Sequence, residues 1–211
     1  MARRSDHTKA ELKDLVIDAT AALIEEYRTV KVTARQIAER VGYTPGTLYT
    51  HFENLDDIFL HVNARSLADL RNILADAVAR EDSPQRAIRA MGLAYLDYAR
   101  SQPHRFQLMF TPRLPNGAAP PAFLQAEIER LFDLLGGQLQ RIGETDDNTL
   151  AVGVRALWSG VHGVASLALS DQLFASGERV ERDMVKLLVA QFVSAWPPEE
   201  LESTDAATSP E

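Results

Sequence analysis

Apolar residues recur at helical spacing along almost the whole chain, and this periodicity is what most limits the possible folds. Leu12, Val16, Ala19 and Leu23 illustrate it, because steps of three and four residues place them on one side of a helix. No run alternates between apolar and polar residues for long enough to indicate a strand. The pattern therefore predicts an all-α protein.

Capping residues predict where the first helices start. Thr8 with Glu11, and Thr33 with Gln36, have the spacing of a capping box, in which the two side chains bond each other's backbone N–H groups. The apolar periodicity of the first and second helices begins directly after these pairs.

A tight turn follows the second helix. Gly42 can end that helix by adopting a left-handed conformation, which costs glycine little. Thr44 is suited to cap a third helix whose first residue is Pro45. Two short helices joined in this way predict a helix-turn-helix.

The later helices are predicted from the same periodicity and from proline and glycine breaks. A fourth helix begins near Leu55, and a fifth follows Ser83 and Pro84. The others are expected at 102–110 and at about 122–142, 148–169 and 180–196. The proline-rich stretch 111–121 is expected to be a mobile loop, and the polar, acidic stretch 198–211 a disordered tail.

Composition excludes several classes of function. The chain has no cysteine, so disulfides, thiolate zinc sites and a cysteine nucleophile are excluded, and the cytoplasm is the expected compartment. We find no signal peptide at the N-terminus and expect no membrane span, since the most apolar stretch, 152–169, contains Arg155 and His162.

No combination of residues indicates an enzyme. Nucleotide-binding glycine motifs, the H-E-x-x-H zinc motif and the G-x-S-x-G serine motif do not occur in the sequence. None of the five histidines lies three or four residues from another, so no helical metal site is expected. We therefore expect no catalytic activity, no cofactor and no metal.

Charge is unevenly distributed. The whole chain has a formal net charge of -8, yet residues 28–52 carry Arg28, Lys31, Arg35 and Arg40 against the single acid Glu39. This stretch contains the helix-turn-helix, and a basic surface there favours contact with nucleic acid. The alternative is a capped helical hairpin that has no DNA-binding role.

The stretch 33–59 reads TARQIAERVGYTPGTLYTHFENLDDIF, and it resembles the DNA-binding segment of the TetR family of transcriptional repressors. The resemblance implies that phosphates are contacted by Thr33, Arg35, Tyr43, Tyr49 and His51, and base edges by Thr44, Pro45, Gly46, Thr47 and Thr50.

Two positions depart from the family pattern. Arg28 stands where a glycine usually closes the first helix, so the turn differs or Arg28 is strained. Leu55 stands where a phosphate-contacting lysine is usual, so DNA affinity is expected to depend more on Arg3, Arg4 and Lys9 of the N-terminal arm. The alternative is that this arm is an ordinary solubilising tail.

The resemblance also implies the domain organisation. Residues 1–54 would form the DNA-binding domain, and 55–197 a helical domain for ligand binding and dimerisation. The stretch 156–169 is similar to the Trp-His-Gly signature of a C-terminal subclass of the family called WHG. Small residues in the same helix predict close approach of another helix, and the family precedent is a dimer built from the last two helices of each subunit.

An apolar cavity among the middle helices is expected to bind a hydrophobic or aromatic effector. The candidate lining residues are Tyr95, Tyr98, Phe106, Met109, Phe110, Phe132, Trp158 and His162. The prediction is thus a homodimeric repressor that binds a double-stranded DNA operator. Its alternatives are a DNA binder without an effector and a helical dimeric adaptor.

Overall fold

The computed structural model describes residues 7–111, 114, 119–173 and 177–198. Within these ranges the chain forms nine helices and no strand, as the apolar periodicity predicted. Arg3, Arg4, most of the proline-rich loop and the tail from residue 199 lie outside the described residues.

The helices agree with the predicted start signals. They are α1 (Lys9–Glu26), α2 (Ala34–Val41), α3 (Pro45–Leu48), α4 (Leu55–Ala79), α5 (Pro84–Ser101), α6 (Pro103–Met109), α7 (Ala122–Gln140), α8 (Asp147–Leu169) and α9 (Glu178–Ser194).

Helix ends account for the differences from the prediction. α9 stops at Ser194 rather than at Trp196, whose indole N–H donates to the Leu139 carbonyl 3.1 Å away. α7 ends at Gln140 rather than near residue 142, and the Gln140 side chain bonds the backbone of Thr145. Trp196 thus bonds a residue of α7, and Gln140 bonds the loop that follows it, at the positions where the helices were predicted to continue.

The chain divides into two compact units, residues 1–73 with 97–131, and residues 74–96 with 132–211. The first unit is built on a hydrophobic cluster from α1 to α4 that includes Leu23, Ile37 and Phe59. Leu108 of α6 belongs to the same cluster and is 0% exposed. The boundary predicted between 54 and 55 stays a prediction.

In the second unit, α8 packs closely on α9. A side chain at Gly153 would collide with Trp196, and one at Gly160 would collide with Leu188 of α9. These two glycines therefore serve contacts within the chain. Gly163, in contrast, has nothing within 4 Å of the position a Cβ would occupy.

Among the described helices, α8 alone is long and apolar enough to span a membrane by length and composition. The core helix of a soluble protein meets the same criterion. Here α8 contributes Leu157, Val161 and Ala165 to the buried residues of its unit.

Candidate nucleic-acid interface

The local sequence sets the geometry of the α2–α3 hairpin. Thr33 and Gln36 form the expected capping box at the start of α2. Gly42 ends α2 in the left-handed conformation, with φ of 76°. Thr44 then accepts the N–H of Thr47 and caps α3. Both ends of the turn are therefore specified by residues within it.

Buried side chains hold this hairpin against the rest of the first unit, which is called the head below. Leu48 is 0% exposed, and Phe52, four residues later, is also buried, as their spacing predicted. Ile37 of α2 lies in the same hydrophobic cluster. Burial of an apolar side chain of this size contributes about 1.5–3 kcal/mol, so the orientation of α3 is well determined.

The opposite side of the hairpin faces solvent. The predicted DNA-contacting residues Thr33, Arg35, Thr44, Pro45, Gly46, Tyr49 and Thr50 are exposed, and Tyr43, Thr47 and His51 are half-exposed. Tyr49 is 45% exposed. All ten therefore remain accessible from outside the head, which a DNA-binding face requires.

Several hydroxyl groups on this face already have partners. Thr33 Oγ1 donates to Gln36 Oε1 at 2.7 Å, and Thr50 Oγ1 donates to the Thr47 carbonyl at the same distance. Thr44 Oγ1 and Thr47 Oγ1 lie 3.0 Å apart. A contact from these threonines to DNA must use a remaining lone pair or exchange one of these bonds.

The aromatic residues of the face differ in their partners. Tyr43 hydrogen-bonds His7 Nδ1 at 3.0 Å, which ties the start of the described chain to the turn. His51 Nδ1 is buried without a hydrogen-bond partner among the described residues. Tyr49 points its ring outward at the end of α3.

The two departures from the family pattern have clear structural consequences. Arg28 adopts a φ of 53°, in the left-handed region, so the expected strain is present. Leu55 packs against the hydrophobic cluster of the head.

A basic residue that the sequence analysis missed lies beside this face. Lys13 of α1 places its ammonium 5.4 Å from the centre of the Phe52 ring. It lines a surface recess of about 520 Å³ together with Tyr49, Thr50 and His51. Only tertiary packing brings these segments together, so no local sequence signal could have identified the contact.

Four of the predicted effector-binding residues meet in the second unit. Trp158 stacks on His162 with ring centres 5.3 Å apart, and Phe132 meets Trp158 edge-on at 5.6 Å. The Tyr95 hydroxyl lies 2.9 Å from His162 Nδ1. The arrangement is an aromatic cluster organised around His162.

Both ring nitrogens of His162 have side-chain partners, since Nε2 lies 3.0 Å from Ser166 Oγ. Burial lowers the pKa of His162 below its usual 6.5, which favours a neutral imidazole with one donor and one acceptor. A ligand that bonded either nitrogen would have to displace Tyr95 or Ser166.

The other four predicted effector-binding residues lie in the first unit. Tyr98 is buried, and its hydroxyl donates to the Ser66 carbonyl at 3.2 Å. Phe106 is buried, and Met109 packs against the cluster of Leu60, Leu67 and Leu124. Phe110 is 41% exposed. The eight residues as one effector site stay a prediction.

No group of three or more histidine, aspartate and glutamate side chains in the described part of the chain is arranged to hold a metal.

Comparisons with known proteins match both halves of the chain. Residues 16–62 match the family described as "Bacterial regulatory proteins, tetR family", and residues 88–192 match the family described as "Tetracyclin repressor-like, C-terminal domain".

Solved structures share the fold. A protein of unknown function from Rhodococcus sp. RHA1 has a TM-score of 0.74 at 16% identity, covering 92% of this chain and 98% of its own. Thermus thermophilus FadR, a TetR-family repressor solved with lauroyl-CoA, gives 0.65 at 16%, covering 92% and 100%. RolR, solved with resorcinol, gives 0.64 at 14%, covering 88% and 87%.

Proposed function

The chain belongs to the TetR family of bacterial transcriptional regulators, and we propose that it is a homodimeric repressor of the cytoplasm. In this proposal it binds a near-palindromic operator and releases it when a small apolar or aromatic effector binds. The two recognition helices would enter successive major grooves, with half-site centres about 34 to 36 Å apart or a multiple of that.

The observation that carries the DNA-binding part is the two-sided character of α3 and the turn that follows it. Leu48 of α3 and Phe52 of that turn are buried, while Tyr49, directly after α3, is exposed. A recognition helix needs this division, because its inner side must hold it rigidly while its outer side stays free for DNA. The basic charge of residues 28–52 supports the same role.

Exposed stripes on α8 and α9 support the dimer. On α8, Val152, Ser159 and Leu167 lie on one exposed side, and Gly163 lies between them with free space around it. On α9, Leu187 is 63% exposed, and Val180 is exposed two turns before it. Such apolar surface on neighbouring helices is typical of a helix-packed interface between subunits.

The aromatic cluster around His162 supports an aromatic or apolar effector. Phe132 and Trp158 offer ring faces, and Tyr95 and Ser166 offer hydroxyl groups beside them. The acyl-CoA and the resorcinol in two of the compared structures are ligands with apolar or aromatic parts. Effector binding would shift α4 and change the separation of the two DNA-binding heads, with a coupling free energy of about 1 to 3 kcal/mol.

The proposal is tested by footprinting the protein on the DNA that flanks its own gene and then measuring variants on the protected site. Tyr49→Phe removes a phosphate-contacting hydroxyl, so affinity should fall alike for every sequence. Thr47→Ala removes a base-contacting group, so the preference among operator variants should change.

Tyr27→Phe is the matched control, since Tyr27 is also 45% exposed but lies at the end of α1, outside the predicted face. Unchanged binding in both test variants would refute the docking arrangement.

Two further experiments separate the alternative functions. A DNA affinity that does not change with salt concentration would favour the helical adaptor, because binding to phosphates releases counterions. A thermal-shift screen with apolar and aromatic compounds, followed by operator release, separates an effector-controlled repressor from a DNA binder without an effector.

A further inference from the structure

Lys13 lies on α1, outside the helix-turn-helix, yet it shares a surface with the end of α3. The recess of about 520 Å³ described above is lined by Lys13, by residues 49–53, and by Asp57, His61 and Phe123. Its rim therefore combines one α1 residue with three residues of the predicted DNA-binding face.

The Lys13 ammonium is available for an anion. It has no ion pair among the residues that the structure describes. The ammonium lies over the ring of Phe52, 5.4 Å from its centre. A cation–π contact at a partly exposed site is weak, about 0.5–1 kcal/mol, so it orients the side chain without neutralising the charge.

Of the two acidic residues that line the recess, Glu53 and Asp57, Asp57 is engaged in local contacts. Asp57 Oδ2 accepts the backbone N–H of Glu53 at 3.0 Å, and Asp57 Oδ1 lies 3.6 Å from His61 Nε2. The neighbouring Asn54 side chain accepts the N–H of Asp57 and caps the start of α4. Asp57 therefore serves the turn between α3 and α4.

Lys13 is also the positively charged residue among those that line this recess at neutral pH. Burial lowers the pKa of His61 below its usual 6.5, the charge of Lys13 lowers it further, and Asp57 opposes both. His61 is thus held neutral, and the positive charge is concentrated on Lys13.

One side of the recess suits a phosphate. Tyr49 is 45% exposed and carries a hydroxyl that can donate a hydrogen bond. His51 is half-exposed, and its buried Nδ1 has no partner in the described structure. A phosphate oxygen that approaches Tyr49 would come close to the Lys13 ammonium, because both residues line the same opening. Charge-assisted bonds of this kind are about twice as strong as neutral ones.

We propose that Lys13 is a DNA-backbone contact, and that its ammonium binds a phosphate of duplex DNA at the recess it shares with Tyr49 and His51. This rests on the proposed DNA-binding function. It adds a basic residue of α1 to the interface expected from α2 and α3.

The test is the salt dependence of binding to duplex DNA, which needs no knowledge of the operator. The affinity of the full chain for two unrelated duplexes of about 30 base pairs, roughly three turns, is measured at NaCl from about 50 to 200 mM. The slope of log affinity against log salt should become shallower by about 0.9 in Lys13→Gln, equally for both duplexes.

Three further variants make the result specific. Lys13→Met removes the charge but keeps an unbranched side chain, and its slope should be as shallow as that of Lys13→Gln. Lys13→Arg keeps the charge and should keep the wild-type slope. Lys186→Gln makes the same charge change on α9, where the lysine pairs with Asp183 at 2.9 Å, and should leave the slope unchanged. Far-ultraviolet circular dichroism confirms that each variant is folded.

Two outcomes distinguish a failure of the proposed function from a failure of the Lys13 contact. If the affinity of the wild type for DNA did not change with salt concentration, the proposed DNA-binding function itself would be wrong. If the wild type showed a steep slope and the folded Lys13→Met variant kept all of it, the function would stand and the Lys13 contact would be overturned.

Discussion

At the scale of single residues, the turn after α1 depends on an arginine where glycine is the favourable choice. The Arg28 N–H donates to the Glu25 carbonyl, and the Thr29 N–H donates to the Ile24 carbonyl at 3.1 Å. This is the Schellman pattern, which requires a left-handed residue. Arg28 supplies it with φ of 53°, against the preference of residues with a Cβ.

Arg28→Gly should raise the free energy of unfolding by about 0.5–1 kcal/mol. Relief of the left-handed conformation favours the folded state by about 1–2 kcal/mol, and the greater freedom of glycine in the unfolded chain offsets part of this. Urea denaturation measures the change. Asp171→Gly at the corresponding turn after α8, with φ of 55°, should stabilise less, because aspartate tolerates this region better. A destabilised Arg28→Gly would mean that the arginine side chain makes a stabilising contact.

At the scale of helices, α6 is held in the first unit by contacts that replace its missing cap. Gln102 at its N-terminus makes no side-chain capping bond. Glu25 of α1 does this instead, accepting the Arg105 N–H at 2.6 Å and lying 3.1 Å from His104 Nδ1. At the other end of α6, the Asn63 side chain donates to the Leu108 carbonyl. α6 is therefore part of the head's core.

Leu108→Ala should lower the free energy of unfolding by about 2–5 kcal/mol, because Leu108 is 0% exposed and its removal leaves a cavity in the cluster beneath the helix-turn-helix. Urea denaturation followed by circular dichroism measures the loss. Leu108→Met conserves the volume and should cost less than about 1.5 kcal/mol. A loss below about 1 kcal/mol for Leu108→Ala would show that the core closes over the site or does not depend on α6.

At the scale of the whole molecule, the proposed dimer needs the exposed side of α8 and α9. Leu187 is the most exposed large apolar residue described, at 63%. Its neighbours Val185 and Val189 are buried in the same unit, so Leu187 points away from that core. An apolar side chain in this position gains most from burial against a second copy.

Leu187→Glu should convert the dimer to a monomer at protein concentrations of about 10 μM, because burying an unpaired carboxylate in an interface costs several kcal/mol. Sedimentation velocity measures the assembly state. Ile73→Glu is the matched control, since Ile73 is also an exposed apolar residue, at 42%, but lies on α4. Dimerisation would involve another surface if Leu187→Glu stayed dimeric while Ile73→Glu became monomeric.

The sequence by itself determined the helices, because their signals lie within a few residues of the structure they specify. Thr8, Thr33 and Thr44 cap helices through bonds to residues three positions ahead, and Gly42 ends α2 with its own backbone. Apolar spacing likewise predicted that Leu48 and Phe52 face inward, and the motif predicted the family.

Tertiary structure alone decided which distant residues meet. Lys13 lies beside Phe52, Glu25 caps α6 from α1, and Trp196 fills the space over Gly153. The spacing of apolar residues shows which side of a helix is apolar, but many other segments of the chain could cover that side equally well. The choice depends on how all the helices bury their apolar surfaces at once, which is a property of the packed chain.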